Sequence, residues 1–188
     1  MGAVLCGGAS RRMGRPKALV EVDGVTMVER AVGALHDAGA DRVVLIGGDP
    51  AWAVGVRADH IVDTWPGQGP LAGTATALTT GAEWDPSSLV AVVACDQPWL
   101  TGSVLAALVA ALEAAPGADV AVALTPDGRS HPLPAVWRSR AHRQLAHLVG
   151  SGARRADAGF ASAKVVAVPT APEPLADVDR PEDLPSER

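Results

Sequence analysis

Short runs of continuous apolar residues alternate along this chain with longer segments whose apolar positions recur at helical spacing. Gly2 to Cys6 (GAVLC), Arg42 to Ile46 (RVVLI) and Leu89 to Cys95 (LVAVVAC) read as strands, and the last as a central strand covered on both faces. His60 to Val62, Ala118 to Leu124, Pro134 to Trp137 and Ala163 to Val168 complete the set of strands. Between them, Val25 to Ala38 predicts a helix through Met27, Val28, Ala31, Val32 and Leu35, stopped by Gly39. Pro70 to Thr80 predicts a second helix with proline in its first turn. Thr101 to Ala114 predicts a third, capped by Thr101 and striped by Val104, Leu105, Leu108 and Leu112. Arg138 to Val149 predicts a fourth, and Pro181 to Leu184 a closing turn. Strands alternating with helices of roughly ten or more residues imply βαβ units, an α/β fold and a mostly parallel sheet. In such sheets ligands bind beyond the carboxyl ends of the strands. No internal repeat or long linker divides the 188 residues, so a single domain over 1–188 is expected.

Composition narrows the picture mainly by exclusion. Hydrophobic residues at 48% and charged residues at 20% are ordinary for a globular chain. A net charge of −5 sets aside a general binder of nucleic acid or of acidic membranes. Cys6 and Cys95 sit in apolar runs and read as small buried hydrophobes, with no CxxC or His/Cys spacing for zinc. No apolar stretch approaches the ~20 residues that span a bilayer, and no signal peptide is expected, which points to the cytoplasm. Neither a GxSxG elbow nor an HExxH pair occurs, and Asp96 beside Cys95 opposes a reactive thiolate.

The chemistry gathers at the predicted strand ends. The first strand runs into Gly7-Gly8-Ala9-Ser10-Arg11-Arg12-Met13-Gly14-Arg15-Pro16-Lys17. Glycines there let the backbone approach a ligand, and exposed N–H groups with clustered cations suit a polyphosphate. The loop is neither a Walker A nor a GxGxxG sequence, and a solvated surface turn is the competing reading. Cys95-Asp96-Gln97-Pro98 ends the central strand, placing Asp96 to hold Mg2+ on phosphate oxygens or else to cap a turn. Gly69-Pro70-Leu71-Ala72-Gly73 offers small residues to a flat base or ribose or else forms a plain turn, and Asp63 offers two acceptor oxygens to a guanine edge or else is an ordinary solvated aspartate. His131-Pro132, the pair Arg154 and Arg155, and the acidic stretch Asp177 to Leu184 follow, with Asp179 either a second metal ligand or a cap before Pro181.

Taken together these elements resemble the molybdenum cofactor guanylyltransferase (MobA) family of NTP transferases. Leu5-Cys6-Gly7-Gly8, Arg12-Met13-Gly14 and Lys17 are similar to its LAGGxxxRMGxxK signature. Gly69 to Gly73 matches its GPLAG element and Cys95 to Pro98 its CDxP element, and the later segments fall in the family's order. The resemblance implies a three-layer Rossmann-like nucleotidyltransferase fold, Mg2+, and transfer of GMP from GTP to molybdopterin with release of pyrophosphate. It implies that Leu5, Cys6, Gly7, Gly8, Asp63 and Gly73 bind GTP, together with Lys17 and Asp96. Arg12, Lys17 and Asp96 are then catalytic, Asp96 and Asp179 metal-binding, and His131, Arg154 and Arg155 face the acceptor. Client molybdoenzymes are the implied partners. The chain departs from the family at Cys6 (usually alanine), Pro16 (commonly aspartate) and Asp179 (often asparagine). Three alternatives remain at this level: CTP as donor, a different small phosphorylated acceptor, or nucleotide binding without turnover.

Overall fold

The protein's structure, a computed structural model, describes residues 1–7 and 14–184. Strand β1 (Gly2–Leu5) opens the chain, and a hairpin of β2 (Glu21–Val22) and β3 (Val25–Thr26) leads into helix α1 (Met27–Asp37). Then come β4 (Val43–Ile46), β5 (Asp59–Ile61), α2 (Pro70–Trp84), β6 (Leu89–Ala94), α3 (Gly102–Glu113), β7 (Val120–Leu124), β8 (Ser130–Arg138), α4 (His142–Gly150) and β9 (Val165–Pro169). Seven strands form one sheet in the order β5-β4-β1-β6-β8-β7-β9. β8 runs antiparallel to both neighbours, and the other pairings are parallel.

Alternation along the strands builds three layers. Val4, Leu45 and Val93 point to one face, where they meet Leu35 of α1 and Leu105 and Leu108 of α3. Ala3, Val44 and Val92 point to the other, against Leu71, Ala75 and Leu78 of α2 and Leu145 of α4. β1 lies between β4 and β6, so the strand order reverses beside it. That reversal opens a crevice at the carboxyl ends of β1 and β6, the expected ligand position in a sheet of this kind.

Several element boundaries differ from those predicted. Val25 belongs to β3, not to the first helix, because Asp23 (φ 51°) and Gly24 (φ 75°) close a tight hairpin turn. Thr26 then caps α1 in a capping box: the Glu29 N–H donates to its hydroxyl and its own N–H donates to the Glu29 carboxylate. α2 continues past Thr80 to Trp84, and the Thr79 and Thr80 hydroxyls donate to carbonyls one turn back. β8 begins at Ser130, not Pro134. A register shift between Val122 and Ala123 leaves Pro132 to Pro134 opposite no partner, which accommodates two residues without an N–H. Arg138 ends that strand instead of starting a helix, its guanidinium donating to Leu112 O and Ala118 O, and α4 starts only at His142. Thr101 occupies the N-cap of α3, but its hydroxyl pairs with Ser103 Oγ and bonds no helix N–H.

Candidate active site

β1 and β6 deliver Gly7 and Asp96 side by side, since Leu5 and Ala94 are in register. Lys17 opens a short 3-10 turn after Pro16, and its Nζ donates to Asp96 Oδ2 at 2.9 Å and to Asp179 Oδ1. The ammonium side chain is only 15% exposed. Burial alone would lower its pKa, but hydrogen bonds and charge from Asp179 and Asp96 hold it above the ordinary lysine value. Asp179 comes from the far end of the chain through a latch. The Val178 N–H donates to Asp96 O at 2.8 Å, and Gln97 Nε2 donates to Leu133 O and Leu175 O, each at 3.2 Å. Val178 itself is buried with Val20, Val22 and Met27. Asp179 does not cap the turn at Pro181; Arg180 does, while the Asp179 and Arg180 N–H groups donate to Asp183.

Asp63 fixes its local turn through one carboxylate oxygen. Its Oδ1 accepts from the Trp65 N–H and the Thr76 hydroxyl, both at 3.0 Å. Oδ2 stands 3.9 Å from where a Cβ on Gly7 would lie. Gly69 starts α2 at φ 87°, and a Cβ there would fall 2.6 Å from Arg154 O, so this position requires glycine. The Leu71 N–H also donates to that carbonyl, at 3.3 Å. The GPLAG turn thus fixes Arg154 at the cavity edge. A Cβ on Gly73 would stand 3.0 Å from Leu5 Cδ2, so this small residue lets α2 lie close to the end of β1.

These groups surround a cavity of about 950 Å³. Of the residues singled out from sequence, Leu5, Cys6, Gly7, Lys17, Asp63, Gly73, Asp96, His131, Arg154 and Arg155 line it. Asp179 joins through Lys17, while Gly8 and Arg12 lie outside the described residues. The basic residues are not equally available. Arg154 Nη1 donates to Val149 O and Ala153 O at the end of α4, and Arg155 pairs with Asp157 at 2.7 Å. His131 Nε2 lies 3.1 Å from Thr125 Oγ1, and burial first, then the Arg129 charge, lower its pKa below the ordinary histidine value. Cys6 and Cys95 are both free and buried, and the neighbouring Cys6 thiol and then burial push the Cys95 thiol well above the ordinary range. Cys95 is therefore not a nucleophile at neutral pH.

Sequence reasoning passed over Trp52, Gln97, Arg129 and Asp177, which also line the cavity. Asp177 counts as solvent-exposed, yet partial burial, followed by the charges of Asp96 and Asp179, pushes its carboxyl up to about 6. Its only sequence signal was membership of the acidic stretch. Gln97 carried one in its place between Asp96 and Pro98. Trp52 and Arg129 carried none, because nothing in their local pattern ties a turn after β4 or the loop before β8 to the crevice.

A glycine-ended strand, a partly buried lysine and two carboxylates meet at the crevice of this mostly parallel sheet. The chain belongs to the MobA-like NTP transferase domain family, whose model matches residues 2–165. It is 38% identical over 160 residues to a probable molybdenum cofactor guanylyltransferase of Mycobacterium tuberculosis strain H37Rv, covering 84% of this chain and 77% of the relative. Its identity to the protein of that name in Mycobacterium ulcerans strain Agy99 is 34% over 191 residues, covering 98% and 91%. The fold matches the crystal structure of molybdopterin-guanine dinucleotide biosynthesis protein A from Archaeoglobus fulgidus with a TM-score of 0.75 at 22% identity, covering 97% of this chain and 93% of that one. Among the described residues no helix is long and apolar enough to cross a membrane.

Proposed function

We propose that the protein transfers GMP from GTP to molybdopterin, the molybdenum cofactor, and releases pyrophosphate. The observation that carries this reading is Lys17 held between Asp96 and Asp179 at the mouth of the glycine-ended strand β1, in a chain whose relatives bear the guanylyltransferase name along nearly its whole length. One nucleotidyltransferase domain performs the reaction in this reading, which is supported by the return of the segment beyond residue 165 to the site through Val178 and Asp179.

In the reaction an oxygen of the acceptor's phosphate forms a bond to the α-phosphorus of GTP, and the bond from that phosphorus to the bridging oxygen breaks. Pyrophosphate leaves with the electron pair. The attacking phosphate is already ionised at neutral pH, so no protein base has to take a proton, in keeping with the raised Cys95 thiol and a sequence without a serine elbow. The backbone of Leu5 to Gly7 and the cations Arg12 and Lys17 orient the triphosphate and balance the charge that develops on the leaving group. Lys17 exchanges one of its carboxylate partners for phosphate oxygen when GTP binds. Asp63 presents its Oδ2 to the guanine edge. His131, Arg154 and Arg155 receive the acceptor.

Asp96 and Asp179 are hard oxygen donors that both accept from one cation, the Lys17 ammonium. They fit Mg2+, which commonly takes one or two carboxylates and fills its remaining positions with phosphate oxygen and water. When bound there, Mg2+ neutralises phosphate charge. The reading places the protein in the cytoplasm, where free thiols such as Cys6 and Cys95 persist, with enzymes that take up the finished cofactor as transient partners. The test is product formation: GTP, Mg2+ and molybdopterin should give pyrophosphate and a guanine dinucleotide, and purified protein that yields neither contradicts the reading.

A further inference from the structure

The carboxyl end of β4 builds a corner of the cavity that the proposed reaction leaves without a role. Gly47 and Gly48 follow the strand with φ of 69° and 75°, and they face different ways. A Cβ on Gly47 would lie 3.4 Å from Gly7 Cα and 3.5 Å from Asp63 Cβ. A Cβ on Gly48 would fall 2.3 Å from Trp52 Cζ3 and 3.1 Å from Cys6 Cβ. The two glycines therefore bring Asp63 against the start of the phosphate loop on one side and let an indole ring fold onto the backbone on the other. The ring is held by a short 3-10 turn, Pro50–Ala53, whose N-cap Asp49 accepts from the Ala51 N–H at 2.9 Å, while the Trp52 N–H donates to Asp49 O at 3.0 Å.

Trp52 is only half-buried, although it packs against the core beside α1. A tryptophan that served packing alone would close over that core; this one forms cavity wall next to Ile46, Cys6 and Gly7. A large aromatic surface thus lines the same cavity as Asp63, whose Oδ2 has no hydrogen-bond donor among the described residues. That pairing suits a flat heterocycle that offers a π-face to the one and edge N–H groups to the other.

We propose that the indole of Trp52 is the platform on which the nucleotide's purine base stacks, with Asp63 reading the edge of the stacked base. The inference rests on the assignment of GTP as donor. Trp52 is then a specificity-determining contact: stacking favours the larger purine surface over a pyrimidine, and the carboxylate selects among purines.

The test is equilibrium binding to the full-length protein with Mg2+ and no acceptor, using GTP, CTP and inorganic tripolyphosphate as probes. Base–aromatic stacking removed by alanine corresponds to a loss on the order of 5- to 150-fold. Trp52→Ala should weaken GTP by that much, Trp52→Phe should stay within a few-fold of wild type, and tripolyphosphate should bind all three proteins equally. GTP should also quench part of the wild-type tryptophan emission, tripolyphosphate should not, and the quench should vanish in Trp52→Phe. If wild type binds GTP but Trp52→Ala binds it equally well, or loses tripolyphosphate in parallel, Trp52 is not the platform while GTP remains the donor. If wild type binds tripolyphosphate but not GTP, the donor assignment fails and takes the platform with it.

Discussion

Lys17 shows how much a single side chain depends on company. A largely buried ammonium would ordinarily lose its proton more readily, yet two carboxylates hold it charged. Lys17→Ala removes that charge from the phosphate site and leaves Asp96 and Asp179 facing each other. Its turnover should fall by a factor on the order of 100 or more while its circular dichroism is unchanged; a rate near wild type would remove Lys17 from the reaction. Asp96→Ala should lose activity on a similar scale, and excess Mg2+ should not restore it. Asp63→Ala should change the ratio of GTP to ATP and CTP use, and unchanged ratios would take Asp63 out of the base pocket. Asp177 makes a prediction in pH. Its carboxyl is raised to about 6, by burial and then by the Asp96 and Asp179 charges. The native state therefore binds a proton more tightly than the unfolded chain, whose aspartate titrates near 4. The stability this gives is complete below the unfolded value and is lost as pH rises towards 6. Without metal or nucleotide, the wild-type melting temperature should decline over that interval relative to Asp177→Asn, and parallel profiles would contradict the assignment.

At the scale of elements, the site depends on how turns and latches deliver residues to the crevice. The start of α2 is the most constrained junction, because Gly69 combines a left-handed φ with an approach that leaves no room for a Cβ beside Arg154 O. Gly69→Ala should cost about 1–3 kcal/mol, read as a lower urea midpoint with unchanged slope. A wild-type midpoint would mean that the junction yields freely. The latch from β6 to the C-terminal segment runs through Gln97, whose amide donates to Leu133 O and Leu175 O. Gln97→Leu should therefore loosen Asp179 more than the sheet, appearing as weaker Mg2+-dependent GTP binding and faster amide exchange at Val178, whose N–H bonds Asp96 O. Exchange at Val178 as slow as in wild type would show the latch to be redundant. Asp119 plays a comparable part at the far end, accepting from Arg140 and from the Lys164 N–H.

Across the whole molecule, what was legible in the sequence is what long, continuous patterns encode. The apolar runs of β1, β4 and β6 must be buried on both faces, so they announced a parallel sheet and, with it, where its ligand would lie. The glycines and charges directly after those runs were legible for the same reason. Signals that depended on distant partners were not. The hairpin β2–β3 is too short for a period. β8 carries two prolines that argue against a strand until its partner's register shift is known. The link between Lys17 and Asp179 spans most of the chain, and no local pattern couples them. Trp52 carried no signal, because only the fold puts its turn at the cavity. The central claim concerns the entire chain acting as a guanylyltransferase. The most direct test is pyrophosphate release by the purified protein with Mg2+ and molybdopterin, comparing GTP, CTP and ATP. Release with GTP alone, together with a guanine dinucleotide product, is the predicted result, and release driven by CTP, or by no nucleotide, would contradict it.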